Sequence, residues 1–272
     1  MVQWVYYCFV AVLQQNIPSS VTRFMGFQDV FSDAFLLQRR IFMKIKRAFQ
    51  NLTRFEWGLW LTSVTVIIIS SLLIPKPDVI SMIASFIGVT ALIFVAKGYV
   101  LGQVLCIVFA VFYGIVSFYA RYYGEMITYL GMSAPAALLA TISWIRNPYK
   151  KTEEVKIARL TKNKLILIGV ASVLVAIAFY YILGALGTAN VMVSTFSVAT
   201  SFFASMLLIF RNPMYALAYA VNDIVLITLW IMAAFEDPSS APMIACFVMF
   251  FINDMYGFIQ WTKRQKRQEA DN

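Results

Sequence analysis

The chain has 272 residues, of which 61% are apolar and 13% charged, with mean hydropathy +0.76 and a formal net charge of +9. A soluble domain carries about 25% charged residues, so this chain is written for lipid, and the lack of short alternating segments excludes a β-barrel. Histidine is absent and the three cysteines (Cys8, Cys106, Cys246) stand singly in apolar stretches, which removes His-based catalysis, most zinc sites and haem ligation by histidine.

Residues 1–55 read as a cytoplasmic N-terminal segment. The apolar stretch 4–13 is too short to span and lacks the basic flank of a secretory signal; Met25 and Met43 are alternative starts. Over 34–50, Leu37, Ile41, Ile45 and Phe49 share a helical face among Arg39, Arg40, Lys44, Lys46 and Arg47. That pattern predicts a helix lying on an anionic leaflet.

Eight membrane spans follow, at 56–74, 80–96, 99–120, 125–145, 163–186, 190–210, 214–235 and 241–262, most near the length of about 20 residues that crosses a hydrocarbon core. With both termini placed in the cytoplasm, every Lys and Arg of the 22 except Lys76 and Arg121 falls on the cytoplasmic side. The basic charge therefore anchors the protein in the membrane and is not expected to bind nucleic acid. Glu56 and Glu125, at span edges, read as interfacial.

The segments 80–148 and 191–264 repeat one plan. In each, a first helix ends at a basic turn, Lys97-Gly98 or Arg211-Asn212-Pro213. A second long helix follows. A third ends on an aromatic-basic signature, Trp144-Ile145-Arg146 or Trp261-Thr262-Lys263-Arg264. One span, 163–186, joins them and restores the chain direction, so the repeats are parallel. The expected fold is an all-α polytopic membrane protein with the arrangement of SWEET sugar carriers: an extra span at 56–74, then two triple-helix bundles joined by a linker helix (1+3-1-3), and a short tail at 265–272. Such folds keep the substrate at the repeat interface near mid-membrane.

Ionisable and amide groups inside spans are functional candidates because they are costly there. Asp223 and Asp254 are the carboxylates well inside spans, each directly after an asparagine, Asn222 or Asn253. Tyr215, Tyr219 and Asn222 share a face of the seventh span, with Trp230 seven residues beyond Asp223. Asn253, Tyr256, Gly257 and Gln260 share a face of the eighth, beside a stripe of Asp254, Phe258 and Trp261. Gln103 is the amide inside the first repeat. Ser194, Ser197, Ser201 and Ser205 form a small-polar stripe expected to serve helix packing. The candidate substrate-binding set is Gln103, Tyr219, Asn222, Asp223, Trp230, Asn253, Asp254, Tyr256 and Gln260. No catalytic, metal or cofactor site is expected.

At these residues the chain resembles the PnuC family of nicotinamide riboside transporters. The resemblance runs over about 54–264. It is carried by the Lys97-Gly98 turn, Tyr122-Tyr123-Gly124-Glu125, Asn222 with Trp230, and Asn253-x-x-Tyr256-Gly257-x-x-x-Trp261 before Lys263-Arg264. The first repeat departs from the family's closing Tyr-Gly-x-x-x-Trp, having Ala140, Thr141 and Trp144. The resemblance implies uptake of nicotinamide riboside across a bacterial inner membrane by facilitated diffusion, with intracellular phosphorylation trapping the product, and a homotrimeric assembly. Thiamine, riboflavin or a sugar are the alternative cargoes. The residues suit the riboside independently: aromatic rings stack on a cationic pyridinium, amides pair with its carboxamide, and acids or amides pair with its ribose.

Overall fold

The computed structural model describes residues 45–74, 79–150, 152–188 and 190–271. Residues 45–50 are helical and belong to a unit separate from the rest, which begins at Thr53. The remainder of the helix expected over 34–50, and the apolar stretch 4–13, lie outside the described residues.

From Thr53 on, the described chain is helical, with two isolated bridges near the loop at 147–161. The helices are α1 (Arg54–Leu72), α2 (Val79–Ala96), α3 (Val100–Tyr119), α4 (Tyr123–Thr128), α5 (Ala134–Arg146), α6 (Lys162–Ala185), α7 (Val191–Ile209), α8 (Met214–Glu236) and α9 (Ala241–Ala270). Counting α4 and α5 as one crossing, eight of these runs are long and apolar enough to span a bilayer.

Two boundaries differ from expectation. The last helix runs on to Ala270, past the hydropathy edge at 262. Residues 263–270 are mostly good helix formers, and the side chains of Arg264, Arg267, Gln268 and Glu269 are held by the loop at 147–161. The fourth crossing is interrupted by a π-helical segment, Tyr129–Ser133. The Ala134 N–H bonds the Tyr129 carbonyl, a wide turn that ends where Pro135, lacking an N–H, enters the next helix.

Four helices stop in the same way. Gly98, Arg121, Gly187 and Arg211 all have left-handed backbone, with φ of 70°, 59°, 66° and 59°. The residue after each sends its N–H back five residues, as Tyr99 does to Phe94 (2.9 Å) and Asn212 to Leu207 (2.9 Å). This satisfies carbonyls that lipid cannot. Glycine adopts the conformation without strain, whereas Arg121 and Arg211 adopt it with a side chain attached.

Six crossings close a ring by contact: α2 packs on α3, α3 on α5, α5 on α7, α7 on α8, α8 on α9, and α9 back on α2. The two closures between the α2–α5 half and the α7–α9 half are reciprocal in order: α5 meets α7, and α9 meets α2. Their hydrogen bonds are reciprocal too. Trp261 Nε1 donates to the Val95 carbonyl (2.9 Å), and Trp144 Nε1 donates to the Leu208 carbonyl (3.4 Å). Val95 and Leu208 hold the same position relative to their left-handed turns, and the Trp144 and Trp261 rings meet at 5.3 Å. Outside the ring, α6 packs against α7, and α1 against α2 and α9.

The first turn of α1 corrects the interfacial reading of Glu56. Thr53 and Glu56 form a capping box, yet Glu56 is buried. Its carboxylate also accepts from Lys97 Nζ (2.9 and 3.1 Å) and from the Tyr256 hydroxyl (3.0 Å). Lys97 is therefore a buried ion-pair partner rather than a solvated anchor. Glu125 is likewise fully buried, at the start of α4, and neither carboxylate oxygen has a hydrogen-bond partner among the described residues. A hydropathy profile sees a carboxylate at a span edge; it does not see that the neighbouring helices close over it.

The loop at 147–161 clasps the turns after α2 and α7. Val155 N–H bonds the Gly98 carbonyl and Ala158 N–H the Arg211 carbonyl, each at 3.0 Å. The end of α9 locks this loop. Gln268 bonds Ile157 and Val155, Arg264 and Arg267 pair with Glu154, and Arg159 pairs with Glu269 (2.6 Å). The Tyr149 hydroxyl and Lys150 hold the Asp271 carboxyl below its ordinary range, so that contact is complete above the usual carboxylate pKa and is lost as pH falls below it.

Candidate functional site

The ring encloses a cavity of about 80 Å³ to which all six crossings contribute. The two halves supply different chemistry. The first half, α2 to α5, presents mainly apolar surface, with Leu92, Phe109, Ala110 and Ala137, and the amide of Gln103. The second presents Tyr215, Tyr219, Asn222, Asp223 and Asp254. Gly88 lets α2 approach α9 closely: a Cβ there would lie 2.2 Å from the Phe250 ring, which also lines the cavity.

The polar side chains fall into two groups. Some are fixed by protein partners. Asn222 Oδ1 accepts from the Thr200 hydroxyl (2.7 Å), with Ser197 at 3.4 Å, so Nδ2 is the donor it can offer a ligand. Tyr219 and Ser205 hydroxyls are 2.8 Å apart. The serine stripe of α7 thus packs against α8 and also orients two cavity residues. The other group has no partner. Gln103 is 0% exposed, and neither its Nε2 nor its Oε1 is hydrogen-bonded; Tyr215 Oη and Asp223 Oδ2 are also unbonded. Buried polar atoms are almost always paired, and four unpaired ones facing a single cavity are what a polar ligand would satisfy. The carboxyls of Asp223 and Asp254 meet each other there. No Lys or Arg is among the described residues lining the cavity.

Five of the nine candidates from sequence line this cavity: Gln103, Tyr219, Asn222, Asp223 and Asp254. The other four do not. Trp230 is buried and donates to the Tyr113 hydroxyl (2.9 Å) within an aromatic layer that includes Tyr122. Asn253 turns to α1 and donates to Ser63 Oγ (3.2 Å), and Tyr256 turns to Glu56. Gln260 lies nearer the end of the same helix, half-buried and off the cavity. The reason is helical rotation: Asn253 and Asp254 are adjacent, hence about 100° apart, and it is the Asp254–Trp261 stripe that faces the ring interior. Sequence reasoning passed over Tyr129 and Ser133, which line the cavity from the two ends of the π-helical segment. Pro135 was the signal available for them.

Comparison with known proteins gives one consistent result. Residues 78–263 match the family model described as nicotinamide mononucleotide transporter. A nicotinamide riboside transporter PnuC of Neisseria mucosa is 29% identical over 196 residues, covering 70% of this chain and 74% of that protein. One of Haemophilus influenzae is 25% identical over 190 residues, covering 69% and 81%. The crystal structure of the vitamin B3 transporter PnuC superposes with a TM-score of 0.73 at 28% identity, covering 82% of this chain and 97% of that one. With the cavity and most of its length inside the matched region, this chain belongs to the nicotinamide mononucleotide transporter family.

Proposed function

We propose that the chain carries nicotinamide riboside across a bacterial inner membrane by facilitated diffusion. The observation that carries this reading is the unbonded Gln103 amide, buried in a cavity with two meeting carboxyls and no lysine or arginine. An amide that can both donate and accept matches a carboxamide. Asp223 and Asp254, two carboxyls in contact that share a proton, supply at most a single negative charge for a cationic pyridinium, and Phe109, Tyr129 and Phe250 supply ring faces. A phosphate would meet two acids and no basic group, which favours the riboside although the family description names the mononucleotide. Intracellular phosphorylation of the riboside would then trap it.

The reciprocal tryptophan bonds and reciprocal helix contacts support the 1+3-1-3 reading, with 80–148 and 191–264 as parallel repeats, 163–186 as linker and 56–74 as the added span. The distribution of basic residues supports cytoplasmic termini. The homotrimer rests on the resemblance alone. A cavity of about 80 Å³ is smaller than the roughly 300 Å³ at the low end of small-molecule pockets, so the halves must part to load cargo, as in a carrier that exposes its site by rocking one repeat against the other.

Purified protein offered nicotinamide riboside, its mononucleotide, thiamine, riboflavin and glucose should bind the riboside alone. Losing a hydrogen bond and leaving its buried partner unsatisfied costs about 1–3 kcal/mol. Gln103→Ala and Asn222→Ala should therefore weaken riboside binding about ten-fold or more. Asn253→Ala, which faces α1, should keep the parent affinity. Equal binding of riboside and mononucleotide, or parental affinity in both cavity variants, would refute the assignment of this cavity.

Facilitated diffusion is checked in liposomes. An imposed pH gradient should leave the final riboside distribution at equilibrium. Accumulation against concentration would show that the Asp223–Asp254 pair moves protons with the cargo.

A further inference from the structure

A second concave feature lies outside the ring, on the surface that meets lipid. It is a groove of about 410 Å³ with α7 as its floor and α6 and α8 as its walls. It exists because α6 packs on α7 and stands away from α8, and because small residues line it: Gly169 on α6, Ala199 on α7 and Ala218 on α8. A Cβ on Gly169 would meet no atom within 4 Å. The remaining lining is almost wholly apolar, including Leu165 and Phe203. Such a surface does not hold water. On the bilayer side of a spanning helix, it is filled by hydrocarbon.

The groove has a polarity along its length. Residues 162, 165, 169 and 172 fall on one face of α6, so the row of groove residues on that helix is continued beyond Leu165 by Lys162. Lys164 sits beside it. Both lysines are exposed, and neither is in an ion pair with a described residue. They stand at the start of the span, at headgroup depth, where a lysine near the surface favours an anionic lipid by about 1 kcal/mol. The groove also has a connection to the interior. Thr200, part of its floor, is the residue whose hydroxyl lies 2.7 Å from Asn222 Oδ1, and Asn222 lines the cavity.

We propose that this groove is a binding site for an anionic phospholipid from the leaflet on the side of the loop at 147–161. An acyl chain lies between α6 and α8, and the phosphate sits at Lys162 and Lys164. The lipid acts on the cavity through Thr200, whose position sets that of Asn222. The lipid site rests on the reading of the helices as membrane spans and is independent of the cargo assigned to the cavity.

The experiment uses the full chain purified with phosphatidylglycerol, exchanged into phosphatidylcholine, and examined by native mass spectrometry. The parent should retain phosphatidylglycerol. Gly169→Leu, which projects into the groove from a position where a Cβ meets no protein atom within 4 Å, should lose it at least several-fold. The exposed double change Lys162→Gln with Lys164→Gln should remove the preference for phosphatidylglycerol over phosphatidylcholine without altering the packed interior, and so provides the test should Gly169→Leu fail to fold. Riboside affinity of the parent should differ several-fold between nanodiscs of the two lipids, and that of Gly169→Leu should not. Retention of phosphatidylglycerol by both variants at the parent level would overturn the proposal. So would a disulfide between two copies of a Gly169→Cys variant in the membrane, which would show that a second copy of the chain fills the groove.

Discussion

Replacing Lys97 by methionine should destabilise the protein by about 3–5 kcal/mol, the cost of breaking a buried ion pair from one side. Lys97 and Glu56 side chains are 9% and 2% exposed, so neither charge is screened by water. Removing the ammonium leaves the Glu56 carboxylate with the Thr53 N–H and the Tyr256 hydroxyl as partners, and no opposite charge. The damage should be local in origin and global in effect, because Glu56 ties together the cap of α1, the turn after α2 and the middle of α9. The double change Lys97→Met with Glu56→Gln should recover most of the loss, since both charges are then absent. Thermal unfolding of the detergent-solubilised proteins reads this directly. A single variant that melts with the parent would show that the pair contributes nothing net.

Trp261→Ala should be comparably severe. Trp261 is 0% exposed, with its ring tilted against Trp144 at 5.3 Å and edge-on to Tyr215 at 4.8 Å. Truncating a buried tryptophan costs about 3–5 kcal/mol through lost contact and the void left behind. Trp261→Phe keeps most of that contact and loses the bond to the Val95 carbonyl. That carbonyl still accepts from Gly98 N–H at 2.8 Å, so the phenylalanine variant should lose only about 1 kcal/mol. Trp144→Ala should behave like Trp261→Ala. Because the two rings touch, the double variant should lose less than the sum of the singles, with a coupling of about 0.5–3 kcal/mol. Additive losses would mean that the rings do not form one seal.

The contrast between Asn253 and Asp254 shows what a sequence of this kind discloses. Span number and approximate limits were legible because the penalty for leaving a backbone group unbonded in lipid forces long apolar helices, and Gln103 was legible because it is an isolated amide in an apolar run. Which of two neighbouring polar stripes turns inward was not. Asn253 and Asp254 both sit in a polar pattern of period three and four, and only the neighbouring helices decide between them. Asn253 finds Ser63 of α1, a helix nearly two hundred residues earlier in the chain. Glu56 and Glu125 were misread for the same reason, since burial of a span edge depends on what packs over it. The extension of α9 past 262 was hidden by hydropathy, which falls at a membrane boundary while helical propensity does not.

The π-helical segment at Tyr129–Ser133 sets a register that the rest of the crossing inherits. A π turn accommodates one residue more than an α turn in the same place, so everything after it is rotated by about 100° relative to a regular helix. Ser133, Ala136 and Ala137 face the cavity, and Trp144 reaches Leu208, only in that rotated frame. Removing a single residue from this segment, Gly131 for instance, would restore an ordinary helix at no cost in length of span. The residues on either side, including the exposed Leu138, Leu139 and Ile145, would keep the faces they have, whereas an ordinary helix that retained every residue would rotate them by about 100°. In this crossing one supernumerary residue works as an indexing tooth, and the fit between the two halves of the carrier is set by counting as much as by chemistry.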